Sequence, residues 1–316
     1  MDVLEEPVEP QEAPRWEPWW TRRWPYVLAG LAVAILAVFW AGQRATQGVR
    51  HELDARLRAA GAGADAALVD VEAEQLSALR AISFTDGVGR ALAEHDVKTL
   101  NRLVAPIQAN AGVPMVDIVL PDGRVALAVR SKGAPAPAAS RAGMFAITTA
   151  LARAHNSRSG RFSEIVILKS GPTLLTIGPL LSGSVPIGAA LVMTPLADVL
   201  GRLAQEVGTT LTAYDTRGDP IATTAGWDPR PVDSDTAQSL TAGGAIVMRY
   251  VHGSQREALG RLIVDHQAAS LLGVSLHDDS AATGRAVTLY AALGLIGTIL
   301  IVVSFSLRLA NRWWRS

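Results

Sequence analysis

Two stretches of the chain carry no charge, and both are long. Trp24 to Gln43 gives twenty residues between Arg23 and Arg44, and 286–307 gives twenty-two between Arg285 and Arg308. At about 1.5 Å rise per residue, each predicts a helix able to cross a hydrocarbon core of about 30 Å. A helix buried in a globular core is normally shorter and keeps a polar stripe. Both are therefore read as transmembrane helices.

Between them the hydrophobic period changes twice. Val49, Leu53, Leu57, Ala60, Ala64, Leu68, Val71, Leu79 and Ile82 recur at spacings close to three and four, which predicts a long helix continuing outward from the first span. A short helix over Val88 to Leu92 follows, then one capped by Asp96 whose apolar face is Leu100, Leu103, Val104 and Ile107. Asn110-Ala-Gly112 stops it. From Val113 the period is two. VPMVDIVL and VALAVRS flank Pro121-Asp122-Gly123-Arg124 as a hairpin, helical residues lie near 141–154, and FSEIVILKS, TLLTIGPLL and VPIGAALVM read as strands. Residues 196–207 form an amphipathic helix. The pattern then restarts: TTLTAYD, a turn at 216–219 and PIATT repeat the hairpin. AIVMRYV, ALGRLIVD and SLLGVSL complete a second set of strands.

The predicted organisation is a disordered cytoplasmic tail at 1–23, a transmembrane helix at 24–43, and a membrane-emergent long helix with its following helices at 44–112. A membrane-distal α/β module covers 113–194, a linking helix 195–208 and a membrane-proximal module 209–280. A second transmembrane helix at 286–307 and a short cytoplasmic tail at 308–316 complete the chain.

Composition agrees with a membrane protein, since 49% of residues are hydrophobic, only 18% are charged and the mean hydropathy is positive. Trp16, Trp19, Trp20, Trp24 and Trp40 border the first span and Trp313 and Trp314 follow the second, so seven of eight tryptophans sit where interfacial belts belong. Arg22, Arg23, Arg308, Arg312 and Arg315 lie on the outer flanks, which places both termini in the cytoplasm and 44–285 outside. A cleaved signal peptide is the rival for the first span, but the apolar run is longer than an ordinary h-region and the tail before it is acidic.

Other classes are disfavoured. Lys+Arg and Asp+Glu balance at 29 each, so no charge excess recruits nucleic acid. The chain has no cysteine, which removes disulfides and thiolate chemistry. No zinc-protease, hydrolase, P-loop or dinucleotide motif occurs, so no enzyme, cofactor or metal is expected. His277-Asp278-Asp279, the one local cluster around a histidine, reads as a solvated linker, and Arg217-Gly218-Asp219 as a turn rather than an adhesion tripeptide. Gly294 and Thr298 allow a close helix contact in the second span.

VDIVLPDGRVALAVRS, GPLLSGSVPIGAALVMTPLADVLGRLAQ and TLTAYDTRGDPIATT, in this order between two spans, resemble the double Cache family of extracytoplasmic sensor domains. The resemblance covers residues 44–285. It implies an α+β fold of two tandem PAS-like antiparallel-sheet modules behind a long helix, and a small ligand held in the distal module. The implied pocket draws on Asp117, Arg130, Ser131, Arg141 and Phe145, where a guanidinium holds a carboxylate bidentately. The competing reading makes Arg130 and Arg141 exposed charges beside a Pro/Ala-rich loop. The amino-acid-binding subgroup has aromatic residues shortly after the arginine, whereas Ser131, Lys132 and Gly133 follow Arg130.

By the same resemblance the chain is a membrane receptor, with the lipid bilayer, a small molecule such as a carboxylate, a second copy paired through 46–82, and a signalling partner as its associates. Nine residues follow the second span, so output is expected from a membrane partner or from sequence beyond Ser316. The rival function is a membrane-anchored scaffold whose outer domain binds a protein through an exposed apolar patch.

Overall fold

The computed structural model describes residues 24–155, 160–265 and 267–313. These fall into two units, one of Met1–Arg50 with Asp279–Ser316 and the other of His51–Asp278.

In the first unit, the apolar ends of helices α1 (Trp24–Phe84) and α7 (Ser280–Trp313) are each long and apolar enough to cross a membrane. Their large side chains face outward: Phe39 is 60% and Tyr290 72% exposed, the reverse of a soluble core helix. The two helices meet through small residues. A Cβ at Gly42 would collide with Thr288 Oγ1, and one at Gly284 with Thr46 Oγ1. Thr46 donates to the Gly42 carbonyl at 2.9 Å and Thr288 to that of Gly284 at 2.8 Å, so neither hydroxyl is left unpaired in the seam. The close contact therefore uses Gly42 and Gly284. Gly294 meets nothing within 4 Å, and Thr298 bonds back to its carbonyl. Trp16, Trp19, Trp20 and Trp314 lie outside the described residues.

The second unit is α+β. Helix α1 continues without a break to Phe84, followed by α2 (Val88–Ala93) and α3 (Val97–Asn110). Asp96 caps α3 as the sequence predicts, accepting from Thr99 N at 3.0 Å. The first sheet is built from β1 (Met115–Val119), β2 (Val125–Arg130), β3 (Phe162–Leu168), β4 (Gly171–Ser182) and β5 (Val185–Pro195). Helix α4 (Phe145–His155) lies between β2 and β3 in the chain. Helix α5 (Leu196–Val207) leads to the second sheet: β6 (Thr210–Tyr214), β7 (Pro220–Thr223), β8 (Val247–His252), β9 (Gln255–Val264) and β10 (Gln267–His277). The antiparallel orders are β2-β1-β5-β4-β3 and β7-β6-β10-β9-β8, the same topology twice. The repeat legible in two hairpins thus extends over both sheets.

One helix escapes the sequence reading. Helix α6 (Ser234–Thr241) is only eight residues long and strongly polar, so its period is faint. Its start signal is nonetheless present: Asp233 accepts from Thr236 N at 2.8 Å, and Val232 packs with Ala237 across the cap as a hydrophobic staple.

Alternation along the strands divides the side chains between two faces. Val116, Ile118, Ala190 and Val192 pack under α1, α2 and α3, while Met115, Val119, Leu191 and Met193 pack with Ala146, Ile147 and Ala150 of α4. In the second sheet, Leu211, Ala213, Leu272 and Val274 meet α1 and α5. Tyr214, Leu259 and Leu271 meet α6 on the opposite face. A buried polar chain fixes α1 on the first sheet. Gln75, only 2% exposed, donates to Thr194 Oγ1 (2.8 Å) and accepts from Thr176 Oγ1 (2.6 Å), which in turn contacts Ser163 Oγ at 2.8 Å.

Candidate functional site

The two hairpins that open the sheets are closed alike. Gly123 N donates to the Leu120 carbonyl at 2.9 Å and Gly218 N to that of Asp215 at 3.1 Å; both glycines have positive φ, at 81° and 95°. A later loop then crosses each turn. Arg141 N donates to the Gly123 carbonyl (2.7 Å), and Val232 N to the Gly218 carbonyl (2.8 Å), just before α4 and α6 begin. Arg141 and Val232 therefore occupy equivalent places, and the module with Arg141 is the one with unusual electrostatics.

Asp117 stands in the middle of β1, opposite Ala128 and Leu191, on the face that α4 and the 131–144 loop cover. It is fully buried. Arg141 grips it from the loop, with Nε 3.0 Å and Nη2 2.8 Å from Oδ2. Arg130, at the end of β2 and opposite Met115, brings Nη2 within 2.5 Å of Oδ1. Arg130 Nη1 donates to the Val116 and Val129 carbonyls at 3.0 and 2.9 Å. The two guanidinium side chains are only 12% and 11% exposed, so they are not solvated surface charges.

Two cations thus share one buried carboxylate, which leaves one positive charge in excess. Arg130 Nη2 is spent on Asp117 Oδ1, but Arg130 Nε has no hydrogen-bond partner among the described residues. A buried guanidinium with an idle donor is costly unless an acceptor meets it. The neighbouring face is aliphatic, formed by Met115, Val119, Leu191 and Met193. Chemically, this arrangement suits an anionic oxygen pair carried on a small apolar body.

The other two predicted residues are placed differently. Ser131 is exposed at the first position of the loop, its N–H spent on the Pro114 carbonyl at 2.9 Å. Phe145 is 81% exposed and lines a separate cleft of about 160 Å³ with Thr149, Arg153 and Glu164. The structure therefore joins Asp117, Arg130 and Arg141, and leaves Ser131 and Phe145 at the periphery.

The second sheet holds a polar cluster that sequence reading missed. Tyr214 donates to Glu257 Oε1 at 2.8 Å, and Arg249 Nε donates to Glu257 Oε2 at 2.7 Å. Arg249 also donates to Tyr214 Oη (3.0 Å) and to the carbonyls of Arg230 (2.8 Å) and Pro231 (2.7 Å). Here one cation meets one anion, and every nitrogen of the guanidinium donates. Burial pushes the Glu257 carboxyl above its ordinary value despite Arg249, and burial together with the Glu257 charge raises the Tyr214 phenol. The only available signal was an Arg within AIVMRYV and a Glu just before ALGRLIVD.

Asp278 also departs from expectation. It is buried, with Tyr250 Oη 2.5 Å from Oδ2, so the segment after β10 is anchored rather than a solvated linker. Arg217-Gly218-Asp219 is the β6–β7 turn, where Asp215 Oδ1 accepts from Arg217 N and Asp219 N, both at 2.9 Å. Among the described residues no group of metal-binding side chains assembles.

No family model matches the chain, and no curated protein does. Solved structures do. The ligand-binding domain of the Campylobacter jejuni chemoreceptor Tlp3, in complex with 4-methylisoleucine, superposes with a TM-score of 0.53 at 10% identity, over 74% of this chain and 93% of that one. The same domain with L-norvaline gives 0.51 at 12% identity, covering 74% and 92%. The sensor domain of the V. cholerae histidine kinase DctB gives 0.50 at 9% identity, covering 72% and 97%. The fold is that of the Cache-type sensor domains. At such identities the likeness extends to fold alone, so any reading of a ligand site in this chain rests on its own residues.

Proposed function

We propose that the chain is a membrane-anchored extracytoplasmic sensor that binds a small carboxylate in its first α/β module. Both apolar helices span the inner membrane, the termini face the cytoplasm and 44–285 lie outside. The observation that carries the reading is the buried excess charge at Asp117, where Arg130 and Arg141 close on one carboxylate and Arg130 Nε keeps an idle donor beside an aliphatic face. Ser131 and Phe145 belong to the loop and helix that cover this site and adjust as a ligand enters. Tlp3, a chemoreceptor of the same fold, carries aliphatic amino acids in its complexes, which supports a ligand pairing a carboxylate with an apolar side.

A ligand carboxylate competes with Asp117 for Arg141, the one cluster member on a loop, and so couples occupancy to the loop and α4. A shift between two arrangements of the module then reaches α1, which Gln75 holds against the same sheet. The signal passes inward along α1 and α7, in a parallel dimer framed by residues 46–82.

The test is a thermal-shift screen of the full chain in nanodiscs against small carboxylates, amines, amino acids and purines. A ligand that binds only the folded form raises Tm, by about 2.7 kcal/mol of stabilisation at a hundredfold excess over Kd. A carboxylate hit that disappears in Arg130→Ala supports the reading. Silence across the panel from folded protein overturns it and favours a scaffold that binds a protein partner.

A further inference from the structure

The second sheet carries a recess on the face opposite Tyr214 and Glu257. Leu57 of α1 and Ala258, Leu272 and Val274 of β9 and β10 wall it, and its volume is about 250 Å³. It exists because side chains are missing where helix and sheet meet. A Cβ at Gly61 of α1 would stand 3.8 Å from Val274 Cγ2, and a Cβ at Gly260 would meet no atom within 4 Å. Protein interiors normally fill such space, and the same interface is packed by leucines a turn away. At the mouth Ile246 and Ile263 remain 49% and 43% exposed, apolar and uncovered.

The charges at this recess are unbalanced. Arg58 and Arg261 line it with a single acid, Asp65. Both arginines are exposed, and neither makes a salt bridge with a described residue. Apolar walls and two unpaired guanidiniums at the opening are complementary to an amphiphilic anion. At about 30 Å³ per water, the volume holds on the order of eight waters, or one ligand of about eight heavy atoms.

We propose that this recess is a second ligand site, independent of the Asp117 cluster, which takes a short aliphatic carboxylate with its chain between α1 and the sheet and its head on Arg58 and Arg261. A ligand there touches α1, which runs on unbroken into the apolar segment before residue 50, and β10, which ends three residues before α7. It therefore acts on both elements that lead to the membrane without passing through the first sheet.

The test is calorimetric titration of the full chain carrying Arg141→Met, which disables the first-sheet cluster, in nanodiscs with sodium hexanoate, with empty nanodiscs as the lipid control and hexanamide as the uncharged analogue. Hexanoate is expected to bind, with hexanamide at least tenfold weaker. Gly260→Leu fills open space without a backbone clash, so it should abolish binding while leaving Tm unchanged or higher. A double Arg58→Ala, Arg261→Ala variant should weaken hexanoate at least tenfold. The Arg141→Met background separates this site from the one in the first sheet. No hexanoate binding above the empty-disc control in that background, or binding there that survives both recess variants, overturns the proposal.

Discussion

The two α/β modules share a strand order, a glycine turn and a loop docked on that turn, yet they use the docked loop in opposite ways. In the first module the docked residue is Arg141, whose guanidinium dives to a carboxylate on β1. In the second it is Val232, which packs into an apolar cluster with Ala237, Leu240 and Leu259. The first cluster has two cations for one anion and a donor to spare at Arg130 Nε. The second matches Arg249 to Glu257 and adds the Tyr214 ring, so nothing is left over. A neutral, satisfied cluster holds a fold together; an unbalanced one is poised to take a counter-ion.

The sharpest way to break this comparison is to remove one arginine from each module. Arg249→Met strands the buried Glu257, and we expect a loss of about 3–5 kcal/mol in urea unfolding. Arg141→Met leaves Asp117 still paired with Arg130, so it should cost well under half as much while abolishing carboxylate binding. Equal losses from the two variants would end the distinction.

A middle-sized effect is expected where the first sheet meets α1. Gln75→Leu leaves the hydroxyls of Thr176 and Thr194 facing an apolar side chain, which should cost about 1–3 kcal/mol. Because Gln75 lies outside the Asp117 cluster, the variant's carboxylate Kd should stay within a few-fold of wild type while its unfolding midpoint drops.

The smallest effects are in pH. Burial raises the folded-state Glu257 carboxyl, so its contribution to stability is present below its unfolded value near 4.5 and is lost as pH rises through the folded one. Glu257→Gln should remove that downward slope. Asp233 behaves oppositely: the Thr236 amide holds its carboxyl below the ordinary 3.8, so the cap's contribution is present above that value and is lost as pH falls. The deficit of Asp233→Ala should therefore be seen at neutral pH and vanish in strong acid. Thermal melts from pH 2 to 8 read both slopes.

Much of this architecture is set by local rules and was therefore readable in one dimension. The apolar runs at 24–43 and 286–307, the period of α1 and the Asp96 cap are short-range signals, and so are the alternation of β1 and β2 and the turns at Gly123 and Gly218. Helix α6 was lost because eight polar residues give too little period, although its staple and cap were present. The Asp117 cluster was half legible, since Asp117, Arg130 and Arg141 are visible as charges in an apolar stretch. Their balance was not, because a charge has no sign of excess until burial strips its water and shows which partners it meets. The same holds for Arg249 with Glu257, 8 residues apart, and for Gln75 with Thr194, 119 apart. It holds too for the void between Gly61 and Gly260. Sequence determined the elements, because hydrogen bonding and side-chain period act within a few residues; only the tertiary structure decided which charges are shared, which are satisfied and where space is left, because desolvation and packing act between residues that the chain keeps far apart.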